Sequence, residues 1–221
     1  AWDIPAQYQA PQASKSGTTN RGTINNLVIF IRFSDGNEIS TSFSGINAMF
    51  NDTASGSTSM LQYFREASYG QLDVMSHFYP APNGNTVISY QDSLPRECFE
   101  PYDATTNPNG YTNQATTEFA LLQRAVNWIN ANCTIPSSLN LDYDNDGNID
   151  NITFVVKGTY TGWSDLLWPH KWSLYDRYVY INGKRLYTFN LQLEGSGSHY
   201  FSSSTLCHEM FHTLGAPDLY H

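Results

Sequence analysis

The first strong signal along the chain is a near-continuous apolar run, Leu27 to Phe33 (LVIFIRF), closed by Ser34-Asp35-Gly36. Such a run with a turn behind it predicts a strand buried on both faces. Ser59-Met-Leu-Gln62 has capping-box spacing, and Met60, Leu61 and Phe64 follow before Gly70, which predicts a helix. Leu72, Val74, Ser76 and Phe78 then alternate with Asp73, Met75, His77 and Tyr79, the period of a strand with one wetter face. Phe119, Leu122, Val126 and Ile129 recur at helical spacing and predict a helix near 116–131. Ile152 to Lys157 (ITFVVK) reads as a second buried strand. Asn182-Gly183, between VYI and RLYTF, predicts a hairpin, and residues 178–193 are expected to supply an exposed sheet edge. Ser203 to Leu214 predicts a short helix that Gly215 can close. Between these, residues 80–113 carry five prolines and read as a long surface excursion, and residues 1–23 as a linker or strap without periodicity. The expectation is an α/β domain with a mixed sheet over residues 24–221.

Composition narrows the function classes. With 221 residues the chain can bury roughly 70 % of its unfolded surface, so it folds without staples, and 14 % aromatic residues exclude disorder. No apolar stretch approaches the ~20 residues of a membrane span. Eleven Lys and Arg against 20 Asp and Glu give a net charge of −9, which excludes the basic footprint that nucleic acid or an anionic membrane demands. Charged residues make up only 14 %, and Ser, Thr, Asn, Gln and Tyr supply the polar surface, as is common in secreted proteins. Three cysteines, Cys98, Cys133 and Cys207, allow either one bridge (Cys98 to Cys133) with a buried thiol, or three free thiols. Ala1 to Gly22 lacks the apolar core of a signal peptide, so a leader is expected to have been removed, or the numbering to start internally.

The predicted last helix holds His208-Glu209-Met-Phe-His212. Residues i and i+4 share one helical face, so both imidazoles can reach one cation. Glu209 projects about 100° round the helix, beside the ion, where it can take a proton from water without being a ligand. Gly215 and Asp218 extend the pattern to H-E-x-x-H-x-x-G-x-x-D. A glycine that stops the helix and turns the chain back returns a side chain to the same ion. Three protein ligands leave a position for water, which is the arrangement of a catalytic zinc. The plain alternative is two surface histidines, a glycine cap and an aspartate in a turn. Cys207 points some 100° away from His208 and reads as a packing residue.

A second constellation is Asp142-Tyr-Asp144-Asn-Asp146-Gly147-Asn148-Ile-Asp150. Oxygen donors at loop positions 1, 3, 5 and 9, a carbonyl at Asn148 and a glycine at position 6 suit calcium. Position 12 is Thr153 rather than a bidentate Glu, and Ile149, Ile152 and Phe154 lead into a strand, so the loop is EF-like in a different frame. Its plain alternative is a turn with solvated carboxylates. His170, in Trp168-Pro-His170-Lys-Trp172, reads either as a substrate contact or ligand support or as a packed loop residue. His77 and His199 are expected at the surface, Tyr220 is a candidate bond to a zinc ligand or a transition-state oxygen, and His221 is terminal.

HEMFHTLGAPDLY resembles the zinc motif of the immune-inhibitor-A-like secreted metalloproteases, a family related to metzincins. FREASYGQLDV (64–74), DNDGNIDNITFVVKG (144–158) and LLWPHKWSL (166–174) are similar to further segments of that family. The resemblance implies a zincin-like catalytic domain, a twisted mixed sheet with a backing helix and an active-site helix. It implies zinc on His208, His212 and Asp218, Glu209 as general base, and structural calcium. It also implies a propeptide removed in maturation, and secretion to the extracellular space or cell surface. Metzincins carry a Met-turn after the third ligand, whereas the methionines here are Met49, Met60, Met75 and Met210. The expectation is therefore a truncated or proteolysed domain lacking its C-terminal subdomain. The expected activity is that of a monomeric zinc endopeptidase acting on proteins or peptides. The alternative is a calcium-stabilised binding or adhesion module with a vestigial zinc site, which would have no need of an intact Glu209.

Overall fold

The computed structural model describes residues 20–160, 162, 164–196 and 199–218. Its elements in chain order are β1 (Gly22–Arg32), α1 (Phe43–Asn51), α2 (Met60–Ala67), β2 (Leu72–Tyr79), β3 (Tyr90–Gln91), α3 (Gln114–Asn132), β4 (Ile152–Val156), β5 (His170–Ser173), β6 (Tyr180–Ile181), β7 (Lys184–Arg185), β8 (Thr188–Leu193), β9 (Gly195–Ser196), β10 (His199–Tyr200) and α4 (Ser203–Thr213). One 3-10 turn, Arg96–Phe99, lies between β3 and α3. The fold is mixed α/β, built on a six-stranded sheet in the order β2-β1-β4-β8-β5, with β3 added beside the end of β1. All pairs in it are parallel except β5 with β8.

Period-2 alternation explains how one apolar run serves two layers. Leu27, Ile29 and Ile31 of β1 face α3, where they meet Phe119, Leu122, Val126 and Ile129. Ile24, Val28 and Phe30 face the opposite layer, with Ile46 and Phe50 of α1, Phe64 of α2, and Leu206 and Met210 of α4. A mostly parallel sheet covered on both faces needs such unbroken runs. The Ser59 hydroxyl caps α2 by accepting from Gln62 N at 3.0 Å, as its spacing predicted. Asn182 and Gly183 both take positive φ (49° and 79°) in the β6–β7 turn, the left-handed pair a tight hairpin requires.

Two expectations need correction, one open choice is decided, and one helix is new. Residues 178–193 do not form a sheet edge: β6 and β7 make a separate hairpin, and β8 lies inside the sheet between β4 and β5. The edge is β5. Residues 80–113 are not only a surface excursion, because β3 pairs with β1 and Phe99 is fully buried, stacked on Phe33 with centroids 4.7 Å apart. Asp92 is also buried there, in a bidentate pair with Arg124 of α3. All three cysteines are free thiols, so the Cys98–Cys133 bridge is not made. Helix α1, capped by Ser42, was not anticipated; its signal is only the Ile46/Phe50 pair one turn apart. Among the described residues no helix is long and apolar enough to cross a membrane.

Candidate metal centre

Helix α4 starts at Ser202, whose hydroxyl accepts from Thr205 N, and buries Leu206, Cys207, Glu209, Met210 and Thr213. The buried stripe turns His208 and His212 outward, and their side chains are 41 % and 21 % exposed. The helix ends in a Schellman arrangement: Gly215 N donates to His212 O (3.1 Å) and Ala216 N to Phe211 O (2.9 Å). Gly215 sits at φ 95°, where a Cβ would be strained, and the reversed chain brings Asp218 back beside the histidines.

His208 Nε2 and His212 Nε2 are 3.1 Å apart, and Asp218 Oδ1 lies 3.4 Å from the first and 3.2 Å from the second. A tetrahedral zinc with N and O ligands at about 2.0–2.1 Å has an edge of about 3.3 Å. The three donors therefore fit one face of a zinc coordination shell. His212 Nδ1 donates to Ala216 O at 2.8 Å, which fixes the tautomer and leaves Nε2 with a lone pair for a metal. Cys207 takes no part: it packs in the α1/α2 layer, and burial pushes its thiol up to about 12, far from thiolate at neutral pH.

Glu209 is buried on the sheet side of α4, 5 % exposed. Burial raises its pKa, and the positive charge of His170 opposes that rise. His170 is the first residue of β5 and belongs to neither plain loop packing nor the exposed surface. Its Nε2 contacts Glu118 Oε1 at 2.8 Å and its Nδ1 the Trp168 carbonyl at 2.6 Å. Desolvation favours the neutral ring, but the facing Glu118 carboxylate prevails and holds His170 up at about 9. Both nitrogens thus donate at neutral pH. Glu118, fully buried on α3, was missed in the sequence; its signal is a carboxylate four residues before Leu122, on the apolar stripe of the helix. His77 is not a free surface residue: its Nε2 lies 2.9 Å from Asn25 Oδ1, and burial lowers its pKa. Tyr220, His221 and the side chain of His199 lie outside the described residues.

In the acidic loop, carboxylate oxygens of Asp142, Asp144 and Asp146 all lie within 4.8 Å of one another. Asp144, Asp146, Asn148 and Asp150 line one concavity with Tyr187 and Thr188. Asp142 is turned inward: Oδ1 accepts from Asp146 N (2.9 Å), while Oδ2 accepts from Gly147 N (3.0 Å) and from Lys184 Nζ (2.7 Å) on β7. Against the upward push of burial, Lys184 and these N–H groups hold Asp142 below the usual carboxylate range. Asp150 goes the other way, pushed up to about 6 by burial and by the neighbouring Asp144, Asp142 and Asp146. Gly147 takes φ 91° at the sharp turn.

Comparison with protein-family models and with curated proteins finds no match for this chain.

Proposed function

We propose that the protein is a zinc-dependent endopeptidase. The observation that carries the reading is the triangle of His208, His212 and Asp218 donors at zinc-shell spacing, half open to solvent, with Glu209 buried beside it. A zinc ion bound there supplies Lewis acidity to water and to the substrate carbonyl. Glu209 accepts the proton of the attacking water and returns it to the leaving amine. Its burial raises the basicity of the carboxylate, which suits a group that takes a proton from water. The packing of α2 behind α4, both on one side of a mixed sheet, supports the zincin-like arrangement of a backing helix and an active-site helix.

The antiparallel edge strand β5 packs beside α4 and leaves its outer edge unpaired among the described residues. An extended substrate adding to that edge would make main-chain hydrogen bonds along its length, which favours internal cleavage over trimming of ends. Calcium in the Asp142–Asp150 loop is part of the same reading, supported by the three clustered carboxylates and the raised Asp150. Secretion belongs to the same proposal, with the family resemblance and the low charged fraction in its support.

The test is zinc content and casein hydrolysis, each with and without a zinc chelator. One equivalent of zinc and chelator-sensitive cleavage are expected. Tight zinc with no cleavage of casein or peptides would leave the vestigial-site module as the better description.

A further inference from the structure

Helix α4 rests on the sheet through two kinds of contact. Leu206 and Met210 press into the apolar layer with Val28, Phe30 and Val155, and such contact has no preferred direction. One turn beyond Glu209, Thr213 makes the other kind. Its hydroxyl lies 3.2 Å from Asn151 Oδ1 and 3.2 Å from Asn190 Oδ1, all three side chains being buried. From there hydrogen bonds cross the sheet. Asn190 Nδ2 donates to Asn151 Oδ1 (3.2 Å), and Asn151 Nδ2 donates to Asn26 Oδ1 (2.7 Å). Thr153 Oγ1 donates to the same Asn26 oxygen (3.0 Å), and Asn26 Nδ2 donates to Ser76 Oγ (3.0 Å). The row runs from β8 through the β4 segment and β1 to β2, on the face where Ile24, Val28 and Phe30 would lead one to expect another apolar side chain.

We propose that this buried polar row orients the metal-binding helix. Thr213, held by Asn151 and Asn190, fixes the rotation of α4 about its axis and with it the aim of His208 and His212. The inference rests on reading those histidines and Asp218 as zinc ligands. A turn of about 10° moves an atom roughly 6 Å from a helix axis by about 1 Å. Ligand distances tolerate only about 0.2 Å, so an apolar contact that permits such a turn cannot set the site. A hydroxyl one residue after His212, on the sheet side, can. Among the described residues Thr213 is the only partner of Asn190 Oδ1, so the bond cannot be exchanged for another without leaving a buried oxygen unpaired. Thr213, Asn151, Asn190 and Asn26 are positioning residues; none of them touches the metal position.

Thr213→Val removes the hydroxyl at nearly constant volume, and Thr213→Ser restores it. Zinc affinity is read by competition with a chromophoric chelator, and site geometry by the visible d–d spectrum of the cobalt(II)-loaded chain. Thr213→Val should raise the zinc Kd by at least about tenfold, the lower end of what loss of an outer support costs a metal site, and alter the cobalt spectrum. Thr213→Ser should return both close to wild type. Asn190→Ser, which withdraws the acceptor from the other side, should act in the same direction and serves if Thr213→Val does not fold. Wild-type zinc affinity and a wild-type cobalt spectrum in Thr213→Val would overturn the inference, whatever its melting temperature. A wild-type chain that takes up no zinc would instead remove the reading beneath it, and the inference with it.

Discussion

Asp218 is placed by a turn, whereas the two histidines are placed by a helix, so the third donor is the one most dependent on local chain geometry. Asp218→Ala should lower both zinc occupancy and hydrolysis, while the fold, which Asp218 does not help to pack, keeps its melting temperature. Normal zinc stoichiometry and affinity in that variant would place the third ligand elsewhere. At His170 the relevant quantity is a proton. Its folded pKa of about 9 lies above the ordinary 6.5, so the Glu118–His170 pair contributes stability that is complete below about pH 6.5 and is lost as pH rises through 9. The charged groups acting on it are Glu118 from α3 and Glu209 from α4, both acidic, so both favour the protonated ring. With the ring about one-fifth exposed, the contribution is on the order of 2–3 kcal/mol. Melting temperature should therefore fall between pH 6.5 and 9.5 in the wild type and much less in Glu118→Gln. Parallel pH curves for the two proteins would show that His170 is neutral throughout. His208, Glu209 and His212 were legible because their spacing follows from helix geometry, and Asp218 because Gly215 marks the turn that returns it. Glu118 was not read, since a single carboxylate on an apolar stripe says nothing about which partner lies across the core.

Between the acidic loop and the β6–β7 hairpin the contact is reciprocal. Ile149 N donates to Arg185 O, Arg185 N donates to Gly147 O, and Lys184 reaches Asp142. The ammonium thus already neutralises part of the charge that a bound cation would neutralise. Lys184→Ala should lower the melting temperature without calcium and enlarge the gain on adding it. Asp144→Ala should remove most of that gain. A cation that binds only the folded chain adds about 2.7 kcal/mol at a hundredfold excess over Kd, or a shift on the order of 5–10 °C for a domain of this size. Equal melting curves of the wild type in calcium and in a calcium-selective chelator would reduce the loop to an acidic turn. The loop's ligand spacing and the hairpin turn were readable because both are set by residues close in sequence. The pairing of loop with hairpin was not, because Asp142 and Lys184 are brought together only by the sheet. The same limit applies to the sheet edge: β5 is four residues long and carries no alternation, so the longer patterned stretch that became β8 drew the assignment.

Across the whole molecule, the sheet separates a layer built on α3 from a layer built on α1, α2 and α4, and the candidate metal centre belongs to the second. The two are linked at the β5 edge, where Glu118 below meets His170, whose charge is felt by Glu209 above. The layer order could be anticipated from the two-sided run at Leu27 to Phe33. The polar row beneath α4 could not, because Asn26, Asn151 and Asn190 are isolated polar residues until strand register sets them side by side. What the site does with these parts turns on Glu209 acting as a base rather than as a ligand or a packing residue. The most direct measurement is casein hydrolysis by zinc-loaded Glu209→Gln beside zinc-loaded wild type, with zinc stoichiometry read on the same samples. The account predicts one zinc in each and a loss of at least about 10²-fold in rate for the variant. Equal rates, or a variant that has lost its zinc, would contradict it.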